Sequence, residues 1–281
     1  MKLARLGLPG AERPALIDGL DRYRDISGVI SDIAGDMLNR SSIDRLRTLD
    51  VEGLPLLPEG MRVGPAVGRV GKMICVGLNF KDHAIESGVS LPSQPVLFMK
   101  ATTAICGPND AVMIPSGSAK TDWEVELGVV IGEVARNVST ESALEYVAGY
   151  LVVNDVSERA FQLEHGGQWV KGKSCDTFGP IGPMLVTKDE VPDPQNLSMW
   201  LEVNGRRYQQ GTTRDMVFGV AYLVSYISRY MTLMPGDVIS TGTPAGVGLG
   251  QRPPTYLKAG DVMELEIEGL GRQRQRVIDA Q

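Results

Sequence analysis

Asp122, Trp123, Glu124, Val125, Glu126, Leu127, Gly128, Val129, Val130, Ile131 and Gly132 form the stretch that most restricts how this chain can fold. Read as an extended strand, it sends successive side chains to opposite faces of a sheet. Trp123, Val125, Leu127, Val129 and Ile131 then make an apolar face, and Asp122, Glu124 and Glu126 share the other. Three like charges that close repel one another, and burial adds to the cost unless a cation or hydrogen-bond donor compensates. An acidic edge on a half-solvated antiparallel sheet satisfies the same pattern without that cost. The remainder of the chain has to decide between the two.

Its 33 glycines and 17 prolines favour a turn-rich β architecture over a helical bundle. A length of 281 residues suits one large domain, or a large one with a small one attached. Residues 1–68 read as a small N-terminal α/β module and residues 69–281 as the main domain. A net charge of −6 offers no footprint for nucleic acid or an anionic membrane. No apolar run is long enough to span a bilayer, and the first residues lack the apolar core of a signal peptide. Three cysteines, an odd number without close pairing, fit a reducing compartment, so a cytoplasmic protein is expected. Two histidines are too few to suggest a histidine-based zinc site.

In the N-terminal module, residues 3–6 and 14–17 read as short strands. Ser41 and Ser42 are positioned to cap a helix running to Leu49. The main domain opens with a buried-strand pattern at 72–77. Asn79 can cap a helix over 80–86, which would place His83 and Glu86 on one face within hydrogen-bonding reach. A carboxylate so placed orients an imidazole and raises its basicity, although an ordinary surface helix carries the same residues. Residues 88–95 read as a mobile loop, and Lys100 as a substrate-facing group or, more commonly for such a position, a strand-end charge. A helix is expected over 141–147.

The apolar strand after Gly149 ends on Asp155, which either caps the next turn or joins Glu124 and Glu126 around a cation. Three carboxylates without thiolate or imidazole make a hard oxygen site, suited to Mg²⁺ or Mn²⁺. Arg159 and Gln162 share a face of a helix over 157–163. Arg159 can grip a substrate carboxylate or simply pair with Glu158 or Glu164. His165 reads as structural, and residues 171–180 as a basic, glycine-punctuated loop. Asn204 and Gly205 signal a hairpin, and residues 217–230 an amphipathic helix. Residues 241–248 place Thr241 and Thr243 among glycines that let backbone amides approach a ligand.

Taken together, the 79–86 segment, the 122–127 strand, Asn154-Asp155-Val156-Ser157, Lys171-Gly172-Lys173-Ser174 and the 241–248 loop resemble the fumarylacetoacetate hydrolase superfamily, in that family's order and spacing. Phe80 stands where tyrosine is common and Gly128 where alanine is common, and neither removes a functional group. The resemblance implies a β-rich α+β fold, a mixed β-roll core, and a homodimer. It implies a divalent cation on Glu124, Glu126 and Asp155, and a water-activating dyad of His83 and Glu86 on a lid helix. Arg159, Gln162, Lys173 and Thr243 would contact a 2-keto or 2,4-diketo acid, with Lys173 adding positive charge at the reacting oxygen. The implied reaction is hydrolysis of the C3–C4 bond of an acylpyruvate or a 2,4-diketo-3-deoxy sugar acid. Oxaloacetate decarboxylation, and hydrolysis or isomerisation of maleylpyruvate or fumarylpyruvate, are the alternatives. A non-catalytic metal-stabilised binding protein is a more distant one.

Overall fold

In the computed structural model, which describes residues 1–280, the Val125–Ile131 strand is buried along its whole length. It lies inside a ten-stranded mixed sheet. Val147–Asn154 and Val238–Ser240 flank it, both antiparallel, and Val238–Ser240 pairs in parallel with Met73–Gly77. Val96–Lys100 closes that edge. The sheet runs the other way through Gly179–Thr187 to Lys2–Leu6, Arg13–Ile17 and Tyr23–Asp25. A second sheet of five strands is built around Ser198–Val203, Val262–Ile267 and Gly271–Asp279.

The strand is therefore not a solvated acidic edge, because hydrocarbon covers both of its faces. Trp123, Val125, Leu127, Val129 and Ile131 enter a core shared with the five-stranded sheet and the Val220–Ser228 helix. Val130 enters a second core, against Leu3, Ile26, Leu38 and Leu46 of the N-terminal segment. Gly128 follows from this packing. A Cβ there would lie 2.4 Å from Leu151 Cδ1, so Leu151 already occupies the space an alanine would need.

Lys2–Leu6 pairs antiparallel with Gly179–Thr187, so the strands of residues 1–68 continue the large sheet. The Arg40–Arg47 helix is capped by Asn39, whose side chain accepts from the Ser42 amide at 2.8 Å, rather than by Ser41 or Ser42. The helix expected over 141–147 is a single 3-10 turn, Ala143–Tyr146, because Val147 is already paired with Ile131. Val220–Ser228 is shorter than its apolar stripe. Gly219 is extended, and the Val217 amide donates to the Asn79 carbonyl instead of opening the helix. Asn204 and Gly205 both have positive φ, as a two-residue hairpin turn requires. Among the described residues, no helix is long and apolar enough to cross a membrane.

Candidate functional site

Strand register assembles the acidic centre. Val125 faces Asn154 and Glu126 faces Val153, and one step further the Asp155 amide donates to the Glu124 carbonyl at 2.9 Å. Oxygens of Glu124, Glu126 and Asp155 consequently lie within 4.8 Å of one another, all buried. Asp122 leaves this group. The ladder breaks after it, Thr121–Asp122 pairs with Ser157–Glu158, and its carboxylate accepts from the amides of Gly248 (2.6 Å) and Leu249 (2.9 Å). One of three acidic side chains thus holds a loop, while the other two face the cavity.

Three buried cations meet these acids. Arg159 donates to Asp122 (2.8 Å), to Glu124 (2.6 Å) and to the Gln162 side-chain oxygen (3.0 Å). Its sequence neighbours are occupied elsewhere: Glu158 accepts from Thr121 Oγ1, and Glu164 pairs with Lys120. Lys173 does not lie in an open loop. It ends the short Val170–Lys173 helix, and its Nζ sits 2.7 Å from both Glu124 and Asp155. Lys100, expected as a strand-end charge, is fully buried and donates to Asp155 at 2.5 Å and to the Val156 carbonyl at 3.0 Å.

Charge is unevenly satisfied across the centre. Burial works against the ionised Glu124, but Lys173 and Arg159 outweigh it and hold its carboxyl well below the usual carboxylate range. Glu126 goes the other way. Burial first, then repulsion from Asp155 and Glu124, push its carboxyl well above that range. Its Oε2 accepts from Ser240 Oγ (2.6 Å) and the Gly242 amide (2.9 Å), and no cation pairs with it among the described residues. With all four ionised, Asp122, Glu124, Glu126 and Asp155 set against Lys100, Arg159 and Lys173 would leave one negative charge uncompensated, and it is Glu126 that has no cation partner. An all-oxygen, buried set with a charge deficit beside Glu126 fits a hard divalent cation.

His83 and Glu86 share a face of the Lys81–Glu86 helix, with Nδ1 3.3 Å from Glu86 Oε2. The Glu86 carboxylate also accepts from the Gly246 amide at 3.0 and 3.2 Å, which ties the helix to the glycine-rich loop. Asn79 does not cap this helix. Its side chain bridges the 217–218 segment to the Thr241 carbonyl, donating to the carbonyls of Phe218 and Thr241 and accepting from the Phe218 amide. His83, Glu124, Glu126, Arg159, Gln162 and Lys173 all line one cavity of about 220 Å³. Thr243 lines it too; its hydroxyl donates to the Val125 carbonyl (2.9 Å) and accepts from Gln209 Nε2 (2.7 Å). His165 lies outside, stacked on Phe161. A larger hollow of about 420 Å³ beside the Arg40–Arg47 helix contains none of these groups.

Gly250 gives a first prediction. A Cβ there would fall 2.1 Å from Glu86 Cδ, the movable end of a side chain. Gly250→Ala is expected to fold normally while displacing Glu86 from His83, lowering kcat by roughly 10- to 100-fold with an unchanged Tm. Steady-state kinetics and a melting curve check it, and wild-type kcat would show that the dyad tolerates the displacement.

The Lys100–Asp155 pair, the Ser240–Glu126 bond and the Asp122–loop contact carry no signal in the local sequence, because the partners are 55, 114 and 126 residues apart.

Residues 72–278 match the family model described as fumarylacetoacetate (FAA) hydrolase C-terminal. A Burkholderia cenocepacia protein that carries only a provisional name as a hydrolase is 59% identical, over 100% of both chains. A solved 2-hydroxyhepta-2,4-diene-1,7-dioate isomerase from Mycobacterium marinum is 34% identical with a TM-score of 0.80, covering 99% of this chain and 98% of that one. The maleylpyruvate hydrolase of Sphingobium sp. SYK-6, solved with manganese(II) and pyruvate, is 29% identical with a TM-score of 0.81 over 100% of both chains. With the family model spanning most of its length and full-length relatives this similar, the chain belongs to the fumarylacetoacetate hydrolase family.

Proposed function

We propose that this chain is a metal-dependent hydrolase cleaving the C3–C4 bond of a 2,4-diketo acid to pyruvate and a carboxylic acid. The observation that carries the reading is that His83, paired with Glu86, lines the same cavity as Glu124, Glu126, Arg159 and Lys173. A base for water and a cluster for an acidic, oxygen-rich substrate are thereby within one small volume. The manganese and pyruvate in the Sphingobium structure support the same chemistry. Substrates derived from 2,4-diketo-3-deoxy sugar acids fall within this class.

Glu124, Glu126 and Asp155 would hold Mg²⁺ or Mn²⁺, and such an ion supplies Lewis-acid stabilisation of negative charge developing on an oxygen. The remaining steps belong to the protein. Arg159, held in place by Asp122 and Gln162, orients the substrate carboxylate through its planar guanidinium. Glu86 receives the Nδ1–H of His83, which leaves Nε2 free to accept a proton from water. The oxygen of that water bonds to C4, the C3–C4 bond breaks, and its electron pair stays on the pyruvate fragment as an enolate. Lys173 Nζ adds positive charge there, and protonation at C3 yields pyruvate.

Stripping the protein with EDTA is expected to abolish pyruvate release from acylpyruvates, and Mn²⁺ or Mg²⁺ to restore it. Full turnover by stripped protein would overturn the metal assignment. Isomerisation of a dienoate is a second reading, favoured by the Mycobacterium marinum neighbour. It moves protons without consuming water, so an ultraviolet change with no pyruvate released would select it. Pyruvate from oxaloacetate alone would instead select decarboxylation.

A further inference from the structure

We infer that the group beyond C4 of the substrate is uncharged and apolar, an alkyl or aryl chain, because the cavity is ionic at one end and hydrocarbon over the rest. This rests on the diketo-acid hydrolase reading and narrows it. Arg159 and Lys173 are the two lysine or arginine side chains that line the cavity, and both are already bound to Glu124. Lys173 Nζ stands 4.9 Å from the centroid of the Phe98 ring, where the ionic end gives way to the wall. Trp169 meets Phe98 edge-on at 5.3 Å and fills the space left by Gly77, lying 2.5 Å from where a Cβ would be. Val89, Leu163 and Leu249 complete this side.

Apolar side chains are also exposed on the segments that carry the lining residues. Ile85, in the Lys81–Glu86 helix, is 78% exposed, Val89 and Leu91 in the segment after it 45% and 48%, and Leu163, at the end of the Arg159–Leu163 helix, 49%. Beyond the ionic end the lining side chains offer one hydroxyl, that of Ser87, and the side-chain NH2 of Gln162, whose Oε1 is taken by Arg159. A second carboxylate would therefore lose its water without gaining a cation, and a chain of hydroxyls would leave most of them unpaired. Charge points the same way. A divalent ion turns the centre's one uncompensated negative charge into one positive charge, which a single substrate carboxylate neutralises. Nothing remains to balance another.

A pair of substrates on one carbon skeleton tests this. For the manganese-loaded protein, kcat/KM for 2,4-dioxoheptanoate is expected to exceed that for 2,4-dioxoheptanedioate by about 100-fold or more. The 6,7-dihydroxy analogue is expected to fall between them. Calorimetric binding of 2-oxoheptanoate and 2-oxoheptanedioate, which have no C4 carbonyl to attack, is expected to favour the monoacid by about tenfold or more. Leu163→Arg, which adds a cation at the mouth, is expected to shrink the turnover ratio about tenfold. Equal or better turnover of the diacid would overturn the inference while the hydrolase reading stood, as would a ratio unmoved by Leu163→Arg. Selective monoacid binding without cleavage of any acylpyruvate would do the reverse, supporting the apolar cavity and ending the hydrolase reading.

Discussion

His83→Ala is expected to lower pyruvate release by about 10²- to 10⁴-fold, the usual range for losing a positioned general base. The imidazole is buried, contacts Glu86 through Nδ1, and lines the same cavity as Glu124. It is not one of the three converging carboxylates, so Mn²⁺ affinity measured by calorimetry is expected to change little. Alanine is a good helix former, and the melting temperature should be preserved. Glu86→Gln should cost less, roughly 10- to 100-fold, because the ring remains but loses the partner that fixes its tautomer. Any oxaloacetate decarboxylation by the protein would require no attacking water and should largely survive His83→Ala. Wild-type hydrolysis in that variant would end the dyad assignment.

Lys100→Met is expected to destabilise the protein by about 3–5 kcal/mol, the typical cost of removing one partner from a buried ion pair. Neither side chain of the Lys100–Asp155 pair touches solvent. Methionine fills similar volume, so the loss reflects the charge left behind more than a cavity. For a chain of this size the melting temperature should fall by roughly 6–20 °C. Combining it with Asp155→Asn removes the stranded charge and should recover part of the loss, leaving the double variant more stable than the sum of the single effects. Recovery stays partial because Lys173 also bonds Asp155. Strict additivity in urea melts would mean that Lys100 and Asp155 are not coupled.

Much of the site was legible without coordinates, and the reason is periodicity. Glu124 and Glu126 share a face because a strand alternates, and His83 meets Glu86 because a helix brings residues three apart together. The turn at Asn204 and Gly205 was equally readable, since few residue pairs accept two positive φ values in succession. Local preference yields where a tertiary competitor is stronger. Asn79 could cap a helix, but three backbone groups from distant segments claimed its amide. Residues 141–147 could form a helix, but Val147 was needed in the sheet. Asp122 belonged to the alternating pattern and left it when the strand broke before Trp123.

By itself, the sequence determined the types of chemical group present and their spacing along each strand and helix, because the backbone repeat dictates these over a few residues. Tertiary structure decided which charge answers which. Arg159 turned from its neighbours to Asp122 and Glu124, Lys173 bridged Glu124 and Asp155, Lys100 was buried against Asp155, and Glu126 was left without a cation. Those pairings depend on sheet register and on the exclusion of water. Coulombic attraction between residues tens of positions apart becomes decisive only once the chain has closed around them and the dielectric has dropped.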